Sequence, residues 1–105
     1  MLRVIAEIET NEGCREKFLT AFRELVSLVL AEKGCVEYGP TVDAVTEIGK
    51  QEPLREDHVV IVERWESLDA LNAHLVSENM TSYREAVREL VAGSRTRRRF
   101  EAVRA

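Results

Sequence analysis

The chain has 105 residues, 45% of them apolar and 32% charged, with a formal net charge of −4. A chain this long buries about two thirds of its unfolded surface, enough for one core and one domain over residues 1–105. This composition excludes a disordered polymer, and no apolar run approaches the ~18 residues of a membrane span.

The N-terminal segment Met1 to Glu7 has neither the charged head nor the long apolar stretch of a signal peptide. Cys14 and Cys35 are too few for a disulfide framework, so reduced thiols and a cytoplasmic location are expected. Charge is unevenly spread. Residues 1–94 hold 10 basic and 18 acidic side chains (−8), whereas residues 95–105 hold five arginines and one glutamate (+4). The acidic body argues against nucleic acid as a partner.

Residues 2–10 alternate, with Leu2, Val4, Ala6 and Ile8 to one side and Arg3, Ile5, Glu7 and Glu9 to the other, which predicts a strand. Asn11-Glu12-Gly13 breaks it. From Arg15 to Lys33 the apolar residues Phe18, Phe22, Leu25 and Val29 recur at helical spacing, and Gly34 stands where a helix ends. A second strand is expected over Cys35–Val42, with Val36, Tyr38 and Val42 on one face. Residues 43–57 read as a long polar connection, with some strand at Val45–Ile48; such length tends to be functional.

His58 to Glu66 is the strongest strand, with Val59, Ile61, Glu63 and Trp65 sharing a face. Ser67 is the expected cap of a short helix whose apolar stripe is Ala70, Leu71, His74 and Leu75. A further helical segment is expected from Asn79 to Ala92, ended by Gly93, then a last strand over residues 95–104. The order strand, helix, strand, strand, helix, strand predicts an α+β fold, the ferredoxin-like βαββαβ arrangement with helices on one face of an antiparallel sheet. That leaves the other face uncovered. Because the strands carry apolar residues on both faces, a symmetric homodimer is the simplest partner.

Few side chains offer chemistry. There is no phosphate loop, no Cys-x-x-Cys and no nucleophile elbow. His58 and His74 have no third ligand at a recognisable spacing, so no metal site is expected. His74 sits on the apolar side of its helix, either as a hydrogen-bonded core histidine or as a general base. Glu63 is a carboxylate on an otherwise apolar face and must be paired or functional; it could orient His74 or accept from Trp65 or Tyr83. Trp65, Tyr38 and Tyr83 fit either core packing or the wall of a pocket for a flat ligand. Strand alternation sends Arg95, Arg97 and Arg99 to one side, as a charged edge strand pairing across an interface or as an anion site.

Together these residues resemble the antibiotic biosynthesis monooxygenase (ABM) superfamily, in particular its small quinol monooxygenases. The resemblance rests on Val4-Ile5-Ala6-Glu7-Ile8, on Glu32-Lys33-Gly34-Cys35 with Tyr38, and above all on Glu63-Arg64-Trp65-Glu66-Ser67 followed by Leu71 and His74-Leu75. Met80, Tyr83 and Glu85-Ala86-Val87 fit as well. It implies a dimeric α+β barrel with a pocket between sheet and helices in each subunit. The implied activity is oxidation of a quinol or polycyclic phenol by molecular oxygen, without cofactor, because an electron-rich phenolate can itself donate to oxygen.

On these positions His74 becomes the base, Trp65 the pocket wall and possible donor, and Glu63 the support of either. Tyr38 and Tyr83 line the pocket, with Asn79, Arg97 and Arg99 as further binding residues. Many members carry a second histidine in the segment after the first, where this chain has Asn79, a departure that points to a different substrate. The superfamily also holds isomerases of a phosphorylated quorum-signalling sugar derivative, which the basic segment around Arg97 and Arg99 resembles. Its haem-degrading relatives use a first-strand asparagine where this chain has Ile8. A non-catalytic ligand-binding or dimerisation module is the reading outside enzymology.

Overall fold

The computed structural model describes residues 1–103, so the end of the strand expected to run to residue 104 falls outside it. Alternation along β1 (Leu2–Thr10) places Val4, Ile8 and Thr10 inside and Ile5, Glu7 and Glu9 outside. Gly13, at φ +75°, turns the chain into α1 (Arg15–Leu30), whose buried stripe is Phe18, Leu19, Phe22, Leu25 and Val29. β2 (Cys35–Thr41) and β3 (His58–Trp65) follow, and β3 alternates throughout, with Val59, Ile61, Glu63 and Trp65 buried. Ser67 and Ser77 cap α2 (Leu68–Leu75) and α3 (Glu78–Val87), each hydroxyl accepting from the backbone N–H three residues on.

The last strand is split into β4 (Val91–Arg95) and β5 (Arg99–Glu101), both paired with β1. The sheet runs β2-β3-β1-β4 with every pairing antiparallel. With its helices packed on the inner face, this is the ferredoxin-like α+β arrangement. The thinnest extent, 22 Å, is that of two layers.

Several boundaries differ from expectation. The first helix stops at Leu30 rather than Lys33, because the Glu32 N–H folds back onto the Val29 carbonyl (2.9 Å) and Gly34 takes φ +83°. The last helix stops at Val87 rather than Ala92. Val91 pairs opposite Thr10 and Gly93 opposite Glu9, so Gly93 lies inside a strand rather than ending a helix. A free edge of β1 outweighs the local helical pattern there. Val36 sits in a register shift of β2 and is exposed, as is Val42 beyond the strand end, so only Tyr38 of that trio is buried.

No strand forms in residues 45–48. The connection is closed at its base instead, where Arg55 donates to Asp43 from Nε (2.9 Å), Nη2 (2.8 Å) and its backbone N–H (2.9 Å). Those bonds hold the Asp43 carboxyl well below the usual range.

The most consequential correction concerns the arginines. Arg95 pairs opposite Glu7, whereas Arg99 pairs opposite Val4. One residue more than a continuous ladder allows lies between them, and because side chains alternate with period two, that insertion reverses the facing of everything beyond it. Arg95 therefore shares the outer face with Glu7, and Arg99 the inner face with Val4.

Candidate active site

The inner-face pairings Tyr38↔Glu63, Glu63↔Val4 and Val4↔Arg99 set these four residues in one row across β2, β3, β1 and β5. Val4 is the small member, and above it lies a cavity of about 440 Å³ between the sheet and the helices. Ala6, Ile8 and Ile61 floor it, while α2 contributes Leu71 and His74, and α3 contributes Met80, Tyr83 and Val87. This volume and mostly apolar lining suit a small aromatic molecule.

His74 is 2% exposed. Its Nδ1 lies 2.9 Å from Glu32 Oε1, and the other oxygen of Glu32 accepts from Asn79 Nδ2 at 2.8 Å. Burial lowers the His74 pKa, opposed by the hydrogen bond and charge of Glu32. A neutral imidazole beside a carboxylate carries its proton on the nitrogen facing that carboxylate, so Nδ1–H donates and Nε2 keeps a free lone pair. The ring is held further by Trp65 (centroids 4.6 Å apart) and by Tyr38 edge-on (5.4 Å). An oriented imidazole of this kind can accept a proton from a bound hydroxyl.

Glu63 is 6% exposed, and its Oε1 accepts the Trp65 indole N–H at 2.9 Å. Burial raises its pKa, with the indole bond and Arg99 pulling the other way. Burial likewise raises Tyr38 and pushes Tyr83 up to about 12, so both phenols stay protonated at neutral pH.

The cavity thus gathers His74, Glu63, Tyr38, Tyr83 and Arg99. It does not gather the other three expected residues. Trp65 lies behind the lining, fully buried, and reaches the site through Glu63 and His74 rather than as a wall. Asn79 bonds Glu32 rather than facing the cavity, and Arg97 is exposed outside it. Glu63 is turned to the indole, and Glu32 is the carboxylate that orients His74.

Glu32 carried a signal for this role in the sequence: it continues the spacing of Leu25 and Val29, which sets a carboxylate in line with the apolar stripe of α1 just past the helix end. Arg84 of α3 and Arg88 at its C-terminal cap, which also line the cavity, carried none. Among the described residues no group of three or more His, Cys, Asp or Glu side chains could hold a metal ion, and no helix is long and apolar enough to cross a membrane.

The antibiotic biosynthesis monooxygenase family model matches residues 1–86. The chain is 42% identical over 90 residues to the Escherichia coli K12 protein named "Probable quinol monooxygenase YgiN", covering 84% of this chain and 86% of that one. The crystal structure of PA3566 from Pseudomonas aeruginosa superposes with a TM-score of 0.80 at 21% identity, over 98% of this chain and 94% of that one. A conserved protein from Bacteroides thetaiotaomicron gives 0.75 at 28% identity, over 96% of each chain. The chain belongs to the antibiotic biosynthesis monooxygenase family and is an oxidoreductase of the monooxygenase type.

Proposed function

We propose that this enzyme oxidises a quinol or polycyclic phenol with molecular oxygen, with His74 as the base. One observation carries the reading: a buried imidazole, fixed through Nδ1 by Glu32, lines a mostly apolar cavity. The name of the Escherichia coli relative supports the substrate class.

His74 Nε2 takes the hydroxyl proton, and the phenolate passes one electron to O2. The two radicals combine at a ring carbon, and the peroxide takes up a proton. Loss of water across that C–O bond leaves a carbonyl. A hydroquinone and O2 thus become a hydroxyquinone and water, with all four electrons drawn from the substrate, so no cofactor is required. Glu63 lines the same cavity and burial raises its pKa, so it is the carboxyl group we assign to donate a proton to the departing hydroxide.

An oxygen electrode and ¹⁸O2 test this with menadiol or an anthrone, in the presence of chelator and without flavin. Enzyme-dependent uptake, label in the product and a loss of about 10²–10⁴-fold in His74→Ala are expected. No uptake above the uncatalysed rate with any quinol or phenol would refute the reading.

We also propose a homodimer closed by the outer sheet face. Ile5, Val60 and Val62 form an incompletely buried apolar centre there, and Arg3 Nη1 and Arg64 Nε are buried without hydrogen-bond partners among the described residues. A cytoplasmic location fits the two free cysteines.

A further inference from the structure

The lining residues differ in depth, and the difference is one of charge. His74, Glu63 and Tyr38 line the cavity while buried, so they mark its deep end. Arg84, Arg88 and Arg99 line it while exposed, so they mark its rim. Against these three guanidinium groups the lining holds, among the described residues, a single carboxylate, Glu63.

The rim arginines are not consumed by internal pairing. Arg99 makes one long bond to the Thr96 carbonyl (3.4 Å) and has no carboxylate within salt-bridge distance among the described residues. Arg84 donates from Nη2 to the Leu75 carbonyl (3.1 Å), while among the described residues Arg88 pairs only with the exposed Glu85. Arg99 also owes its place to the one-residue insertion between β4 and β5, without which it would face the other side of the sheet. From Glu63 the row crosses two strand spacings to Arg99, roughly 10 Å between backbones. That separation leaves room for an aromatic ring over Val4.

We propose that the substrate is an aromatic hydroxyl compound that also carries an anionic group, with its hydroxyl at His74 and its anion held at the rim by Arg99, supported by Arg84 and Arg88. Guanidinium groups bind carboxylate, sulfonate or phosphate through charge-assisted, often paired hydrogen bonds, and the rim leaves those donors available. An apolar wall selects the ring and a cationic rim selects the anion. The proposal rests on the reading of the cavity as a phenol site.

Calorimetric titration of the intact protein with 2-naphthol and 6-hydroxy-2-naphthoate compares one ring and hydroxyl with and without a carboxylate. The carboxylate is expected to bind about tenfold tighter. Arg99→Gln should bring the two affinities together and Arg88→Gln should narrow the ratio, whereas Arg95→Gln, on the opposite sheet face, should leave it as in the wild type. Equal affinities in the wild type, or a ratio that survives Arg99→Gln, would overturn the anionic subsite while leaving the phenol reading in place. Binding of neither ligand would remove both.

Discussion

At the scale of single residues, two buried ionisable groups face one cavity and respond to burial in opposite senses. His74 is pushed below its ordinary 6.5, because burial disfavours its charged form more than Glu32 restores it. Activity that needs the neutral imidazole should therefore fall only at pH values below 6.5, as His74 takes up a proton. Glu32→Gln removes the carboxylate that favours the imidazolium, so the acid limb of kcat/KM should move to lower pH. The amide can also donate to Nδ1 and impose the wrong tautomer, so the plateau should drop by about 10²–10⁴-fold. A pH profile separates this positioning role from simple loss of structure, which would lower the plateau without moving the limb.

Glu63 shows the reverse. Its folded pKa lies above 4.5, so its penalty is absent below that pH, where folded and unfolded chains are both protonated. The penalty grows as pH rises from 4.5 through the folded pKa, because only the unfolded chain ionises freely. Glu63→Gln keeps an oxygen for the Trp65 indole and removes the ionisation. It should raise Tm at pH 8 relative to wild type, with the gain vanishing near pH 4, while turnover falls. Thermal melts at both pH values check this. A gain that is equal at both would assign the effect to packing instead.

At the scale of elements, the turn joining α1 to β2 carries more than its length suggests. Gly34 sits at φ +83°, its carbonyl accepts the Glu66 N–H at 2.8 Å, and a Cβ placed on it would overlap the Ala70 side chain of α2. The same turn holds Glu32, and α2 holds His74, so the close approach of backbone and helix brings the two partners together. Gly34→Ala should cost about 2 kcal/mol or more by urea denaturation, from left-handed strain and overlap combined. It should also weaken activity in the remaining folded protein by displacing α2 from Glu32.

Helix and strand identity were legible wherever period and burial agreed, as in β1, α1, β3 and the Ser67-capped α2. The identity of Val91 was not. Its neighbours continue a helical spacing, and only the free edge of β1 decides that it enters a strand. Likewise, alternation alone sends Arg95 and Arg99 to one side, and the inserted residue between β4 and β5 separates them. A register shift is a property of two strands, so one strand's sequence cannot show it.

At the scale of the whole molecule, a two-layer chain leaves one sheet face with Ile5, Val60 and Val62 next to Arg3 and Arg64, whose buried Nη1 and Nε make no hydrogen bond among the described residues. Directly opposed Arg3 and Arg64 repel each other unless carboxylates come between them, and Glu37 reaches only Arg64 (3.3 Å). A second copy would bury the apolar centre. Val62→Glu should convert the proposed dimer to a monomer in light scattering coupled to size exclusion, with the far-ultraviolet circular dichroism retained. A wild-type chain that elutes as a monomer would remove the dimer outright.

The sequence by itself determined the fold class, the two-faced sheet and most of the reactive inventory: His74, Glu63, Tyr38 and Tyr83 all reach the cavity. Those features depend on local periodicity and on which residue types tolerate burial, and both are written along the chain. Only the tertiary structure decided which groups work together. It gave His74 to Glu32 rather than Glu63, set Trp65 behind the wall, placed Asn79 on Glu32 and turned Arg99 inward while leaving Arg97 outside. The reason is physical: pairing between groups 42 residues apart depends on helix ends, strand register and one inserted residue, none of which leaves a periodic trace.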